Sequence, residues 1–197
     1  MIFSRAFTAL ATAMAILFVL GVVARGEEKT CLDPLEIGCV LSGVNIFVRD
    51  GDSLDLGWLR IRLYGIDAPE LGQICERKLT QTVVSHTAKW PCGEMARQQL
   101  EDLVHRSEIE CRVLDVDQYG RAVAQCHVLG AGGSATDLGG SLVAAGLAVA
   151  YTRYRQVAPG LVDHYLTLEK KAAGEKLGVH AGPFEQPEAW RRWNPRR

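Results

Sequence analysis

Residues 53–56 (S-L-D-L) alternate polar and apolar positions, and residues 59–64 (L-R-I-R-L-Y) carry the same alternation after Gly57. A period of two marks a strand with one face buried. The apolar run 44–48 (V-N-I-F-V) leads into them through the turn R49-D50-G51-D52. Connections this short predict a meander of three strands. Two further strands, 109–114 and 122–128, flank D117-Q118-Y119-G120. The period changes between the third and fourth strands. After Pro91, residues Met95, Ala96, Leu100, Leu103 and Val104 fall on one helical face, and Glu94 sits favourably in the first turn. Asp137 starts a second helix that runs to about residue 145 and is closed by Gly146; a third spans 162–177, with Gly178 after it. Residues 71–90 are polar and show neither period, so they are expected to be a surface insertion.

Five strands with a helix between the third and fourth follow the order of an OB-fold barrel. The expected class is therefore α+β, mainly β: a five-stranded barrel with two C-terminal helices added. The domain spans 41–182, preceded by a linker at 25–40 and followed by a tail at 183–197 that carries Trp190, Trp193 and four arginines after Trp190.

The N-terminus is a separate segment. Residues 6–24 carry no charge, residues 14–23 form the apolar centre, and Val22 and Ala24 are small residues at the minus-three and minus-one positions of a cut. This is the pattern of a signal peptide at 1–24; the same stretch is also just long enough for a membrane tether. Either reading places the folded part outside the cytoplasm, as an exported or membrane-anchored monomer.

The six cysteines then read as disulfides. No C-x-x-C pair is present, which argues against a zinc module. A hairpin centred between Gln118 and Tyr119 puts Cys111 opposite Cys126. Cys75 and Cys92 bracket the insertion, and Cys31 with Cys39 follows by elimination.

Charge adds little: 22 Lys and Arg face 23 Asp and Glu, so no overall basic field announces nucleic acid. The arrangement of charges says more. Asp52 lies in the first turn, Arg62 on the third strand, Asp67 and Glu70 just beyond it, and Arg121 at the exit of the last hairpin. Strand ends of a small barrel converge, so these five side chains share one pocket. Such a set suits phosphodiester cleavage. Carboxylates and carbonyls are hard ligands for Ca²⁺ or Mg²⁺. Arginine forks grip phosphate oxygens and stabilise growing charge, and a glutamate deprotonates or orients water. Each segment alone is an ordinary turn; the information lies in their convergence. On this reading Arg62 serves the pocket, and its loss costs activity far more than stability.

D50-G51-D52-S53, R62-L63-Y64-G65-I66-D67-A68-P69-E70 and D117-Q118-Y119-G120-R121 resemble the signature segments of the staphylococcal nuclease family, in collinear order. The later stretch L142-V143-A144-A145-G146-L147-A148, followed by A150-Y151, is similar to its helix and nucleotide-site segment. The resemblance runs from about residue 44 to 182. It implies an OB-fold nuclease that uses one Ca²⁺ to hydrolyse DNA and RNA, leaving 3′-phosphates. It implies Asp52, Asp67 and the Ala68 backbone carbonyl as metal ligands and Glu70 as general base. It further implies Arg62 and Arg121 as transition-state arginines, with Tyr119 and Tyr151 near the nucleotide. Ala68 stands where the family has threonine, and the chain is less basic than its relatives. The competing function is an OB barrel that binds single-stranded nucleic acid without cutting it; the five intact charged positions and an aromatic content of 7% weigh against that.

Overall fold

A computed structural model describes residues 31–79 and 86–194 of the chain. Residues 1–24, read from the sequence as a signal peptide or tether, lie outside the described residues. In chain order the first strands are β1 (Val40–Gly43), β2 (Ile46–Val48), β3 (Ser53–Leu56), β4 (Leu59–Leu63) and β5 (Ile66–Asp67). The hairpin β6 (Cys75–Leu79) and β7 (His86–Trp90) comes next, then helix α1 (Cys92–Val104). Strands β8 (Ile109–Val116), β9 (Ala122–Leu129) and β10 (Ala135–Asp137) follow, then α2 (Leu138–Ala144), β11 (Val149–Ala150), α3 (Pro159–Gly174) and α4 (Pro187–Trp193).

The fold is α+β, built on one mixed sheet in the order β1-β8-β9-β4-β3-β2, with β10 paired to β9. The expected meander is present as antiparallel β2, β3 and β4. β4 then pairs with β9 in parallel, Arg62 lying opposite Val123. This pairing joins the meander to the β8–β9 hairpin and sets Arg62 at the centre of the sheet. The two edge strands, β1 and β2, are separated in the chain only by Val44 and Asn45. The strands are more numerous than the five expected, because β1 and β10 extend the sheet and β5–β11 and β6–β7 form two smaller ones.

The alternating apolar positions of the strands close over one core. Leu54, Ile61, Leu63, Ile109 and Val113 pack with Ala96 and Leu100 of α1 and with Leu138 and Leu142 of α2. Asp137 caps α2 by accepting from the Gly139 N–H at 3.1 Å, and it also accepts from the Tyr165 hydroxyl of α3 at 2.8 Å. α3 starts earlier than its apolar pattern suggested, because Pro159 fits the first turn of a helix. It also ends earlier, since Lys176 adopts φ +57°.

All three expected disulfides are formed: Cys31–Cys39, Cys75–Cys92 and Cys111–Cys126. Cys111 stands directly opposite Cys126 in the hairpin register. Two segments differ from expectation. Residues 75–79 and 86–90 are not irregular: they pair as β6 and β7, tied at the base by Cys75–Cys92. Residues 31–39, read as part of a linker, lie against the sheet: the Gly38 N–H donates to Val113 O and the Val113 N–H to Cys39 O, both at 2.8 Å.

Candidate active site

The turn between β2 and β3 is tied down by its own acids. Asp50 accepts from the Ser53 hydroxyl at 2.5 Å and from the Asp52 N–H at 3.2 Å. The Asp52 carbonyl accepts from the Leu63 N–H of β4 at 2.8 Å, which locks the turn to the end of that strand. Asp52 therefore arrives beside Arg62 by backbone register. One guanidinium then joins two carboxylates: Arg62 Nη1 donates to Asp52 Oδ1 at 2.9 Å and Nη2 to Asp67 Oδ1 at 3.0 Å. Asp67 is held by the pairing of β5 with β11, in which it lies opposite Val149. The second Asp52 oxygen accepts from the Ala68 N–H at 3.2 Å.

These groups are out of water: Asp52 is 5% exposed, Asp67 2%, Glu70 7% and Arg62 9%. Burial pushes the Asp52 carboxyl up to about 7, helped by Asp50 and Asp67 and opposed by Arg62 and the Ala68 N–H. Burial works against the Arg62 cation, but Asp52 and Asp67 outweigh it and hold the guanidinium above its ordinary value. Arg62 thus does more than the sequence reading assigned to it. It neutralises two buried acids, so its loss costs stability.

Glu70 follows Pro69 in a loop clipped by Gln73, whose side-chain oxygen accepts from the Glu70 N–H at 3.1 Å and whose own N–H donates to the Glu70 carbonyl at 2.8 Å. Arg121 stands across a cleft from these acids. Its Nε donates to Asp117 Oδ2 at 2.7 Å and its guanidinium lies 5.6 Å from the centre of the Tyr119 ring. Burial raises Asp117, but the N–H groups of Arg121 and Tyr119 and the Arg121 guanidinium more than offset it, leaving the carboxyl below its ordinary value. Tyr151 belongs to the same site: Arg62 lies 5.9 Å from its ring centre, and its N–H donates to the Gly65 carbonyl at 2.8 Å. Tyr119 is 75% exposed at the cleft mouth.

Glu70 and Arg121 line two clefts, of about 760 and about 720 Å³. Tyr119, Tyr151 and Arg62 line the second; Trp190 and Trp193 of α4 line the first.

The sequence reading singled out the tail but not its place among the acids. Arg191 of α4 lays its fork on Asp67, with Nη1 to Oδ1 at 2.9 Å and Nη2 to Oδ2 at 3.0 Å, and Nη1 also donates to Glu70 Oε1 at 2.9 Å. It also missed Gln73, which is 2% exposed and ties the Glu70 loop to the tail by donating to the Glu185 carbonyl at 2.7 Å. Among the described residues no three His, Cys, Asp or Glu converge as a ready-made metal cluster. The groups that do converge are the Asp52 and Asp67 carboxylates, with the Ala68 N–H on Asp52. This set suits a hard ion that keeps most of its waters, and a cation, Arg191, already sits on it.

Buried acids bridged by arginine, with a glutamate and a second arginine lining the same clefts, suit the chemistry of phosphodiester hydrolysis. Comparisons with known proteins agree. Residues 60–181 match the family described as Staphylococcal nuclease homologue. The chain is 31% identical to Micrococcal nuclease of Shigella flexneri over 159 residues, 76% of this chain and 80% of that protein. It is 29% identical to Protein ParB of Escherichia coli over 77% of this chain and 80% of that protein. It is 32% identical to Probable endonuclease lcl3 of Pyrenophora tritici-repentis over 64% of this chain and 42% of that protein. The chain belongs to the staphylococcal nuclease family.

Proposed function

We propose that this nuclease is calcium-dependent and sugar-nonspecific, hydrolysing DNA and RNA to products with 3′-phosphates. The observation that carries the reading is the pair of buried carboxylates, Asp52 and Asp67, held by the two nitrogens of Arg62 beside Glu70. Asp52, Asp67 and the Ala68 carbonyl would hold Ca²⁺, which would supply charge to polarise the phosphate. The residues do the rest. Glu70 takes the proton of the attacking water. Arg62 and Arg121 approach the phosphate from opposite sides of the cleft and stabilise the charge that grows on its oxygens. The bond to the 5′ oxygen breaks, and the phosphate stays on the 3′ side. Tyr119 and Tyr151 offer ring faces and hydroxyls to the nucleotide, which suits recognition that tolerates any base.

Two finer readings belong with this one. The continuous run 40–48 pairs with β8 through β1 and with β3 through β2, which supports the reading of the sheet as an OB barrel. Three disulfides support an exported protein that folds in an oxidising compartment.

The test is digestion of single-stranded and duplex DNA by the disulfide-bonded protein, with Ca²⁺ and with a calcium-selective chelator. Cleavage that needs Ca²⁺ and leaves 3′-phosphates is expected. A folded protein that binds DNA and cuts under neither condition would return the binding-module reading.

A further inference from the structure

The tail beyond Gly182 lies outside the residues matched to the family, yet it reaches the centre of the site. Helix α4 has only seven residues, too few to be stable alone. It is held by buried Pro187, a 3.8 Å ion pair of Glu188 with Arg153, the Gln73–Glu185 hydrogen bond and the Arg191 fork, with Phe184 just before it packed beside Cys75 and Cys92. Arg191 takes both oxygens of Asp67 and one of Glu70. The acids that would receive a divalent ion and activate water are thus already paired.

We propose that Arg191 is an internal cation that closes the site, so that a divalent ion and the docked tail exclude each other. This rests on the metal reading of Asp52 and Asp67 given above. The reason is electrostatic. An ion on Asp67 would take oxygens now held by the fork and place two positive charges beside a guanidinium in a half-buried setting, where like charges repel strongly. Loading the site therefore releases α4, and release also opens the cleft that Trp190 and Trp193 wall. The coupling runs both ways: whatever holds the tail down weakens the ion, and the ion loosens the tail.

The test is Ca²⁺ binding by titration calorimetry to the full chain, Arg191→Ala and Arg191→Gln, with hydrogen exchange of the 187–193 amides measured in the full chain with and without Ca²⁺. Thermal melts establish that each variant is folded, and the milder glutamine variant stands in if alanine unfolds the chain. Both variants are expected to bind Ca²⁺ about tenfold more tightly than the natural chain, and Ca²⁺ is expected to speed exchange in 187–193. Equal affinity with unchanged exchange overturns the proposal and leaves the metal reading in place. Weaker binding in the variants also overturns it, since Arg191 would then assist the ion. No binding in any of the three overturns both readings.

Discussion

Arg62→Ala lowers the rate of phosphodiester cleavage by about a thousandfold or more, the scale seen when an arginine that meets transition-state charge is removed. It also destabilises the metal-free protein by about 3–5 kcal/mol, because Asp52 and Asp67 are left buried without their shared counter-charge. The two losses separate on adding Ca²⁺. The ion re-neutralises the acids and stabilises the folded state by mass action, so much of the melting temperature returns while the rate does not. Melting curves and single-turnover cleavage, each with and without Ca²⁺, make the comparison. A variant that regains its rate per folded molecule once Ca²⁺ restores its stability would show that Arg62 serves the fold alone.

Gly93→Ala is the largest effect expected from a residue that touches none of the chemistry. Gly93 sits in the first turn of α1 against the Glu70 peptide. A Cβ there would lie 1.8 Å from the Glu70 carbonyl oxygen, 2.5 Å from its carbon and 3.1 Å from the Leu71 nitrogen. All three are backbone atoms, so no side-chain rotation relieves the clash. Either α1 or the Glu70 loop must move, and both are pinned: α1 by the Cys75–Cys92 disulfide, the loop by Gln73. The expected cost is about 3 kcal/mol or more of stability. Displacing Glu70 by about 1 Å removes a further hundredfold of rate from the molecules that still fold. Unchanged melting and unchanged rate would mean that the loop adapts freely and that α1 does not position Glu70.

Both predictions show where the sequence speaks clearly and where it does not. The β8–β9 hairpin was legible because its apolar period is two and its turn residues fix the register, which is why Cys111 and Cys126 meet as the arithmetic requires. The β6–β7 hairpin was hidden because it has almost no buried face: C-E-R-K-L starts on buried Cys75 and ends on three exposed positions, so no alternation is written into it. Asp52, Arg62, Asp67, Glu70 and Arg121 were legible as types at strand ends, and the structure brings the first three into direct contact. Arg191 was not, because it meets Asp67 across 124 residues of chain and its helix is too short to carry a period. The local signal was present all the same. Pro187 and Glu188 at one end and Arg191 and Arg192 at the other mark a helix start and stop. Gly93 was equally silent, since a close approach of backbones depends on where α1 lands.

The most direct measurement of the account is Glu70→Gln, with Ca²⁺ affinity and single-turnover cleavage of a single-stranded oligonucleotide measured on the same preparation. Glutamine keeps the shape and an oxygen for Arg191 but cannot take a proton. Ca²⁺ is expected to bind as tightly as in the natural chain, or slightly more tightly as the Arg191 contact weakens, with a rate lower by about a hundred- to ten-thousandfold. Binding and rate lost together would make Glu70 a metal-holding residue, and an unchanged rate would remove it from the chemistry.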